Sequence, residues 1–119
     1  MKLTNILPTI MGLDSISPEV LNQNIAAGSV VVFDVNSRQS WMENHVPGAT
    51  NLDPLNFTEG DLPADKSSLL VFYCSNPMCR KAPNAARKAK KMEYSNVHVM
   101  SAGISGWISA GLSVENGSS

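Results

Sequence analysis

The sequence predicts an α/β fold in which a mostly parallel central sheet carries helices on both faces. Patterns typical of helices and of strands alternate along the chain, as they do where parallel strands are joined by right-handed crossovers. The strand patterns at 30–35 and 69–73 are apolar at consecutive positions, which indicates strands covered on both faces. With 119 residues, the chain is long enough for one domain with its own core.

The composition is that of an ordinary soluble domain. Hydrophobic residues make up 43% of the chain, charged residues 16%, and the net charge is −1. This balance gives no reason to expect a nucleic acid or an anionic membrane as partner. Two cysteines are too few for a disulfide framework, and without a secretory signal the expected location is the cytoplasm. Neither cysteine has companion Cys or His ligands, so no metal site is expected.

The chain is predicted to contain one domain flanked by two short segments. We assign residues 1–14 to an N-terminal arm, 15–115 to the domain and 116–119 to a disordered tail. The apolar run in the arm resembles the start of a signal peptide, but Pro8 and Gly12 interrupt it. The arm is therefore expected to pack on the domain or on a second copy of it, and the latter arrangement would give a homodimer.

The first helix is predicted between Ser17 and Gly28. Serine is a favoured N-cap, a proline and an acid follow it in the first turn, and glycine is a common helix terminator. The β-branched strand at 30–35 comes next. Ser37 can then cap a short helix at 38–44. The residues of this helix that are expected to be buried are Trp41 and Met42.

The middle of the chain is predicted to form two strands joined by a polar connection. A short strand at 50–52 precedes the connection at 53–66, which is rich in proline, aspartate and asparagine. The apolar strand at 69–73 follows and ends abruptly. The residues that are expected to anchor the connection on the core are Leu55, Phe57 and Leu62.

The C-terminal part is predicted to contain two helices and one strand. The first helix runs to about residue 93 and has Pro83 in its first turn, because proline cannot lie deep in a helix. Small residues recur on one face of this helix and allow close approach to the sheet, while basic residues occupy the other face. A strand at 96–100 follows, and a last helix at 104–110 ends at Gly111.

Cys74 is the residue that this arrangement places in a candidate active site. It directly follows the strand at 69–73 and faces the N-terminus of the next helix, where N–H groups and the helix dipole favour the thiolate. Arg80 and Lys81 add positive charge nearby. Ligands of parallel sheets bind outside the carboxyl ends of the strands, where Asp34 is also predicted to lie. The alternative interpretation of Cys74 is a small, inert core residue.

Three blocks of the sequence match a known pattern. The first joins Asp34-Val35-Asn36 and Trp41 to the segment at 44–52, the second is Tyr73-Cys74, and the third is the segment at 102–114. Together they resemble the single-domain rhodaneses. The resemblance implies a rhodanese-like fold and a sulfurtransferase without a cofactor. In such an enzyme the cysteine of the second block accepts a sulfane sulfur as a persulfide and passes it to a thiol or another nucleophile.

The segment at 74–79 resembles a Cys-x-Asn-Pro-x-Cys variant of the family's active loop. Successive N–H groups of such a loop form a cradle for an anionic sulfur, although Pro77 contributes none. Arg80 can bind an oxyanion donor such as thiosulfate, since its fork reaches two oxygens. Asp34 is expected to support the site by capping the short helix or by holding the loop. The substrate-binding residues implied are Ser75, Asn76, Met78, Cys79 and Arg80.

Cys79 has two interpretations. Its thiol can attack a persulfide on Cys74 and leave a disulfide between the two residues, which requires Cα atoms within about 7 Å. It can also fill the base of the loop as a small apolar side chain. His45 lies in a turn of the family pattern and is expected to make a structural hydrogen bond.

Two other functions are compatible with the sequence. The spacing Cys-x5-Arg at 74–80 is that of phosphatases and arsenate reductases, although Lys81 stands where a Ser or Thr often follows the arginine. A rhodanese-like module can also bind a partner without catalysis. For the sulfurtransferase, the expected partners are a small-molecule sulfur donor and a thiol acceptor, or a protein that accepts the sulfur.

Overall fold

A computed structural model describes residues 13–117 of the chain. Residues 1–12 of the predicted arm and 118–119 of the predicted tail lie outside the described residues. No helix within 13–117 is long and apolar enough to cross a membrane. The elements are β1 (Asp14–Ser15), α1 (Pro18–Ala26), β2 (Val31–Asp34), α2 (Arg38–Glu43), β3 (Thr50–Asn51), β4 (Leu70–Tyr73), α3 (Lys81–Lys91), β5 (Val97–Val99) and α4 (Gly103–Ser109), with a 3₁₀ turn at Glu59–Asp61.

The strands form one parallel sheet in the order β1-β5-β4-β2-β3. This confirms the predicted α/β architecture. From β2 the chain continues to β3 at one edge of the sheet, and from β4 it continues to β5 on the opposite side. The direction in which successive strands are added therefore reverses between β2 and β4. Asp34 at the end of β2 pairs in register with Tyr73 at the end of β4. Ligands of open parallel sheets bind at such a reversal, and Cys74 is the first residue beyond it.

Alternate residues of β2 and β4 contribute to two apolar layers. Val32 and Val71 face one layer, which also contains Leu21 of α1 and Trp107 of α4. The intervening residues face the other layer, where the rings of two phenylalanines stack with centroids 5.3 Å apart. The residues of α3 that close this second layer are Ala82, Ala85, Ala86 and Ala89. Burial of both faces was predicted from the consecutive apolar residues and is confirmed.

The predicted helix starts are confirmed by their caps. The Ser17 side chain accepts a hydrogen bond from the backbone N–H of Val20, and the Ser37 side chain accepts one from that of Ser40. Gly28 has a φ of +70° just beyond the end of α1, a conformation that glycine adopts without strain. These local signals set the ends of α1 and the start of α2.

Three details differ from the prediction. Met42 is 40% exposed, because α2 turns it about 100° away from the buried Trp41. Leu55 is 80% exposed, since it lies in a tight turn whose N–H groups are bound by the Asp53 carboxylate, and Phe57 and Leu62 anchor the connection instead. The two-residue strand β1 was not predicted, because a segment this short has no periodic pattern.

Candidate active site

The segment 74–80, hereafter the Cys loop, begins where β4 ends and curls back on itself. The carbonyl of Asn76 accepts a hydrogen bond from Cys79 N–H at 3.1 Å, and its side-chain oxygen accepts one from Met78 N–H at 2.9 Å. The turn returns Cys79 to Cys74, whose thiol donates to the Cys79 carbonyl at 3.6 Å. Cys74 is 3% exposed and Cys79 is partly exposed. The loop therefore holds a buried sulfur and a more accessible sulfur side by side.

Backbone N–H groups act on both thiols. Those of Ser75 and Ala82 lower the pKa of Cys74, and those of Ser75 and Lys81 lower the pKa of Cys79. Helix α3 begins at Lys81, and the side chain of the preceding residue makes no capping hydrogen bond. The N–H groups that lower these pKa values thus include those in the first turn of α3, a position where helices stabilise negative charge.

The pKa values of the two thiols are displaced in opposite directions. Burial and, to a smaller extent, the interaction with the Cys79 side chain raise the pKa of Cys74 to about 11. Burial alone would also raise the pKa of Cys79. The interactions with the Cys74 side chain and with backbone N–H groups outweigh burial and lower that pKa. The sequence led us to expect the thiolate to be favoured at Cys74; burial instead raises the pKa of that thiol, so that Cys79 has the lower pKa of the two.

A small pocket of about 30 Å³ lies beside Cys74. Its wall includes Cys79 and Ala82 and is completed by Val99 and Met100 from the end of β5. This volume is roughly that of one water molecule in the liquid, so the pocket can hold about one sulfur atom. A whole tetrahedral oxyanion does not fit in it while the loop has this conformation.

A larger pocket of about 280 Å³ lies on the outer side of the Cys loop. Cys79 lines it together with Met78, Arg80 and Arg87, so this thiol borders both pockets. Arg80 lies at the outer pocket and does not line the small one. The guanidinium groups therefore place positive charge where a molecule approaching the loop would bind.

Helix α4 holds the Cys loop in place through hydrogen bonds from the side of β5. The N–H groups of Ile104 and Ser105 donate to the carbonyls of Cys74 and Ser75 at 2.9 and 3.0 Å. Gly103 has a φ of +68°, and a Cβ placed on it would lie 2.6 Å from the backbone of the loop. Glycine is needed here for both its backbone conformation and its lack of a side chain.

A chain of polar contacts ties the loop to the end of β2. The Ser75 hydroxyl donates to the side-chain oxygen of Asn36 at 2.8 Å, and Asn36 N–H donates to Asp34 Oδ1 at 2.8 Å. The other carboxylate oxygen accepts from the Tyr73 hydroxyl at 2.6 Å. Burial raises the pKa of Asp34 even though these hydrogen bonds oppose the shift. Asp34 thus supports the loop through Asn36, a residue of the first matching sequence block to which no role of its own was assigned.

His45 has the structural role that was expected. Its Nδ1 lies 2.7 Å from the Trp41 carbonyl, its ring stacks on the Trp41 ring, and its Nε2 lies 3.7 Å from Glu115. These contacts join α2 to the C-terminal segment. Across residues 13–117, no three His, Cys, Asp or Glu side chains are grouped closely enough to hold a metal ion.

The structure distributes the predicted site residues over three positions. Cys74, Cys79 and the N–H of Ser75 come together at the small pocket. The Asn76 side-chain oxygen stabilises the loop turn. The Met78 side chain is 87% exposed on the rim of the outer pocket, to which Arg80 also belongs. The contributions of Ala82, Gly103 and Asn36 were not predicted, because they depend on contacts between distant parts of the chain.

The chain matches known proteins over most of its length. The family model for the rhodanese-like domain matches residues 17–110. An HTH-type transcriptional regulator of Mycobacterium tuberculosis is 30% identical over 106 residues, which cover 87% of this chain and 46% of the relative. The chain therefore spans about half the length of this curated relative.

Two solved structures share the fold at low identity. The BH2092 protein of Bacillus halodurans superposes with a TM-score of 0.80 at 22% identity, covering 97% of this chain and 87% of the other. A thiosulfate sulfurtransferase of Pseudomonas aeruginosa gives a TM-score of 0.77 at 22% identity, covering 90% of this chain and 20% of the other. At these identities the likeness establishes the fold.

Proposed function

Because the chain belongs to the rhodanese-like domain family, we propose that it is a sulfurtransferase in which Cys74 carries a sulfane sulfur as a persulfide. The observation that supports this most directly is the pocket of about 30 Å³ beside the Cys74 sulfur. It has room for about one further sulfur atom. Backbone N–H groups of the loop and of α3 surround it, and such groups stabilise an anion without a counter-charge.

The first step removes the proton from Cys74. Only a thiolate attacks sulfur efficiently, and the buried Cys74 thiol has a pKa of about 11. The backbone N–H groups of Ser75 and Ala82 oppose the effect of burial and favour this thiolate. The proton leaves to solvent as the nucleophile forms.

The second step transfers the sulfur. The Cys74 thiolate attacks the outer sulfur of a small-molecule donor such as thiosulfate or a polysulfide. The sulfur–sulfur bond of the donor breaks, and sulfite or a shorter polysulfide leaves with the electron pair. The terminal sulfur of the resulting persulfide occupies the small pocket. An acceptor thiol, on a small molecule or on a protein, then attacks this sulfur and regenerates Cys74.

Anionic donors are expected to bind at the outer pocket. Arg80 and Arg87 both line this pocket, and a guanidinium binds an oxyanion through two parallel hydrogen bonds. Because the small pocket holds only about one atom, the donor's outer sulfur is expected to enter it while the rest of the donor stays at the outer pocket. A phosphatase reading of Cys-x5-Arg requires an arginine beside the nucleophilic sulfur, whereas Arg80 lines the outer pocket alone.

A non-catalytic binding module is the other function to be tested, since the Mycobacterium tuberculosis relative carries the name of a transcriptional regulator. A panel of thiosulfate, polysulfide and aryl phosphate separates the three functions. We expect the first two donors to add one sulfur atom to the intact protein, and Cys74→Ser to prevent this while the variant stays folded. Phosphate release without sulfur uptake would support the phosphatase. Inertness toward all three compounds would support the binding module.

A further inference from the structure

We propose that Cys79 resolves the persulfide on Cys74: it attacks the Cys74 sulfur, expels hydrosulfide and closes a Cys74–Cys79 disulfide. This inference rests on the proposed function, because it requires a sulfane sulfur on Cys74. It adds a further activity, the reductive release of sulfide. In the first turnover this release needs no external acceptor.

The geometry of the Cys loop brings the two sulfurs together. The turn closed by Cys79 N–H and the Asn76 carbonyl reverses the chain after Cys74. The Cys74 sulfur then lies 3.6 Å from the Cys79 carbonyl, and both cysteines line the small pocket. A terminal sulfur in this pocket therefore has the attacking thiol as its neighbour.

The pKa values of the two thiols favour Cys79 as the nucleophile. N–H groups of Ser75 and Lys81 lower its pKa and so favour the thiolate. A thiolate can attack either sulfur of a persulfide. Attack by Cys79 on the terminal sulfur expels Cys74 and only moves the sulfane sulfur from one cysteine of the loop to the other, an exchange that is reversible. Attack on the Cys74 sulfur expels hydrosulfide, and this direction gives the disulfide.

The step balances in atoms and electrons. The Cys79 sulfur forms a bond to the Cys74 sulfur, and the bond from that sulfur to the terminal sulfur breaks. The electron pair of the broken bond leaves with the terminal sulfur, which departs as hydrosulfide with the proton that Cys79 loses as it attacks. Two cysteine sulfurs are oxidised to the disulfide, and one sulfane sulfur is reduced to sulfide.

A low-molecular-weight thiol completes the cycle. One molecule of this thiol attacks the disulfide and forms a mixed disulfide, and a second molecule releases the protein in its reduced form. Cys79 is the accessible sulfur of the pair and lines the outer pocket with Arg80 and Arg87. The first attack therefore takes place at Cys79, and an anionic thiol should reduce the disulfide faster than a cationic thiol of equal acidity.

The test loads reduced protein with a stoichiometric amount of polysulfide, removes small molecules and follows sulfide release in the absence of thiol. Wild-type protein should gain one sulfur, release about one equivalent of sulfide and end two hydrogens lighter than the reduced protein. Cys79→Ser should take up the sulfur and release sulfide at least about tenfold more slowly, because it lacks the adjacent nucleophile. Cys74→Ser gives the background.

The internal disulfide can be detected in a single tryptic peptide. Cleavage after Lys66 and Arg80 by trypsin gives the peptide 67–80, which contains both cysteines. An internal disulfide makes this peptide two hydrogens lighter, whereas a disulfide between two chains doubles it. Wild-type protein alone therefore tests the inference even if Cys79→Ser is unstable, and Cys79→Ala provides a second variant.

The outcomes separate the inference from the function on which it rests. If Cys79→Ser acquires a sulfur and releases sulfide as fast as wild-type protein, with no internal disulfide in the peptide 67–80, Cys79 is only a packing residue. The sulfurtransferase proposal would stand in that case. If neither wild-type protein nor Cys79→Ser acquires a sulfur, the proposed function and the inference are both overturned.

Discussion

Gly103→Ala probes how closely α4 must approach the Cys loop. At φ +68°, an L-residue loses about 1–2 kcal/mol relative to its preferred conformations. The new Cβ would also lie 2.6 Å from Asn76 N and from the Ser75 carbonyl carbon, which are backbone atoms that cannot rotate away. Overpacking of this kind costs about 1–3 kcal/mol. We therefore expect Gly103→Ala to lower the free energy of unfolding by about 2–5 kcal/mol.

Gly111→Ala is the matched control at the other end of the same helix. Gly111 has a φ of +78°, but nothing lies within 4 Å of an added Cβ, so only the backbone term of about 1–2 kcal/mol applies. Replacing glycine by alanine also reduces the conformational entropy of the unfolded chain, which stabilises both variants by a similar amount. This effect therefore cancels in the comparison. The contact with the Cys loop therefore accounts for the difference between them.

Two measurements follow from this pair of variants. Urea unfolding gives the free energies, and the intact mass after brief exposure to polysulfide gives the rate of sulfur uptake. Gly103→Ala should be the less stable variant and should also take up sulfur more slowly, because the displaced loop no longer holds its N–H groups around the sulfur. Equal stability and equal uptake in both variants would show that the close approach of α4 does not matter.

Three further predictions concern the loop. Asn36→Ala removes the acceptor of the Ser75 hydroxyl and should slow sulfur uptake by up to about tenfold, measured by the same mass assay. Near neutral pH, iodoacetamide should label Cys79 before Cys74, and labelling of Cys74 should increase as the pH rises toward its pKa of about 11, read from the peptide masses. Arg80→Ala should raise KM for thiosulfate by about tenfold and leave KM for an uncharged organic polysulfide nearly unchanged, measured by steady-state kinetics.

Each of these predictions has a result that contradicts it. Unchanged uptake in Asn36→Ala would mean that the link between the loop and β2 is not needed. Preferential labelling of Cys74 at neutral pH would mean that Cys74, and not Cys79, has the lower pKa of the two thiols. An equal rise in KM for both donors in Arg80→Ala would mean that the residue shapes the loop rather than binding charge. Lys91→Ala, on the exposed end of α3, controls for the general effect of removing one positive charge.

The fold was predictable because its signals are local. The β-branched residues of β2, the serine caps of α1 and α2 and the small residues on one face of α3 each specify an element without reference to the rest of the chain. The position of Cys74 followed from the strand before it and the helix after it. The alternation of these elements then left few topologies to consider.

The finer features of the site depend on contacts that no local pattern reveals. Asn36 and Ser75 are far apart in sequence and meet only because β2 and β4 pair in the sheet. The raised pKa of Cys74 follows from its burial under β5 and α3, which its neighbours in sequence do not determine. The closeness of Cys79 likewise follows from the turn at Asn76. A pattern of residues predicted the candidate nucleophile, but the fold sets the pKa of its thiol.

The most direct test of the central claim is to locate the first transferred sulfur. Cys79→Ser protein, which cannot form the internal disulfide, is treated briefly with polysulfide, alkylated and digested to the peptide 67–80, and the fragment masses are read. We expect one extra sulfur on Cys74 and no uptake when Cys74 is also replaced by serine. A peptide without added sulfur, or sulfur that is still taken up by the double variant, would contradict the assignment of Cys74 as the sulfur carrier.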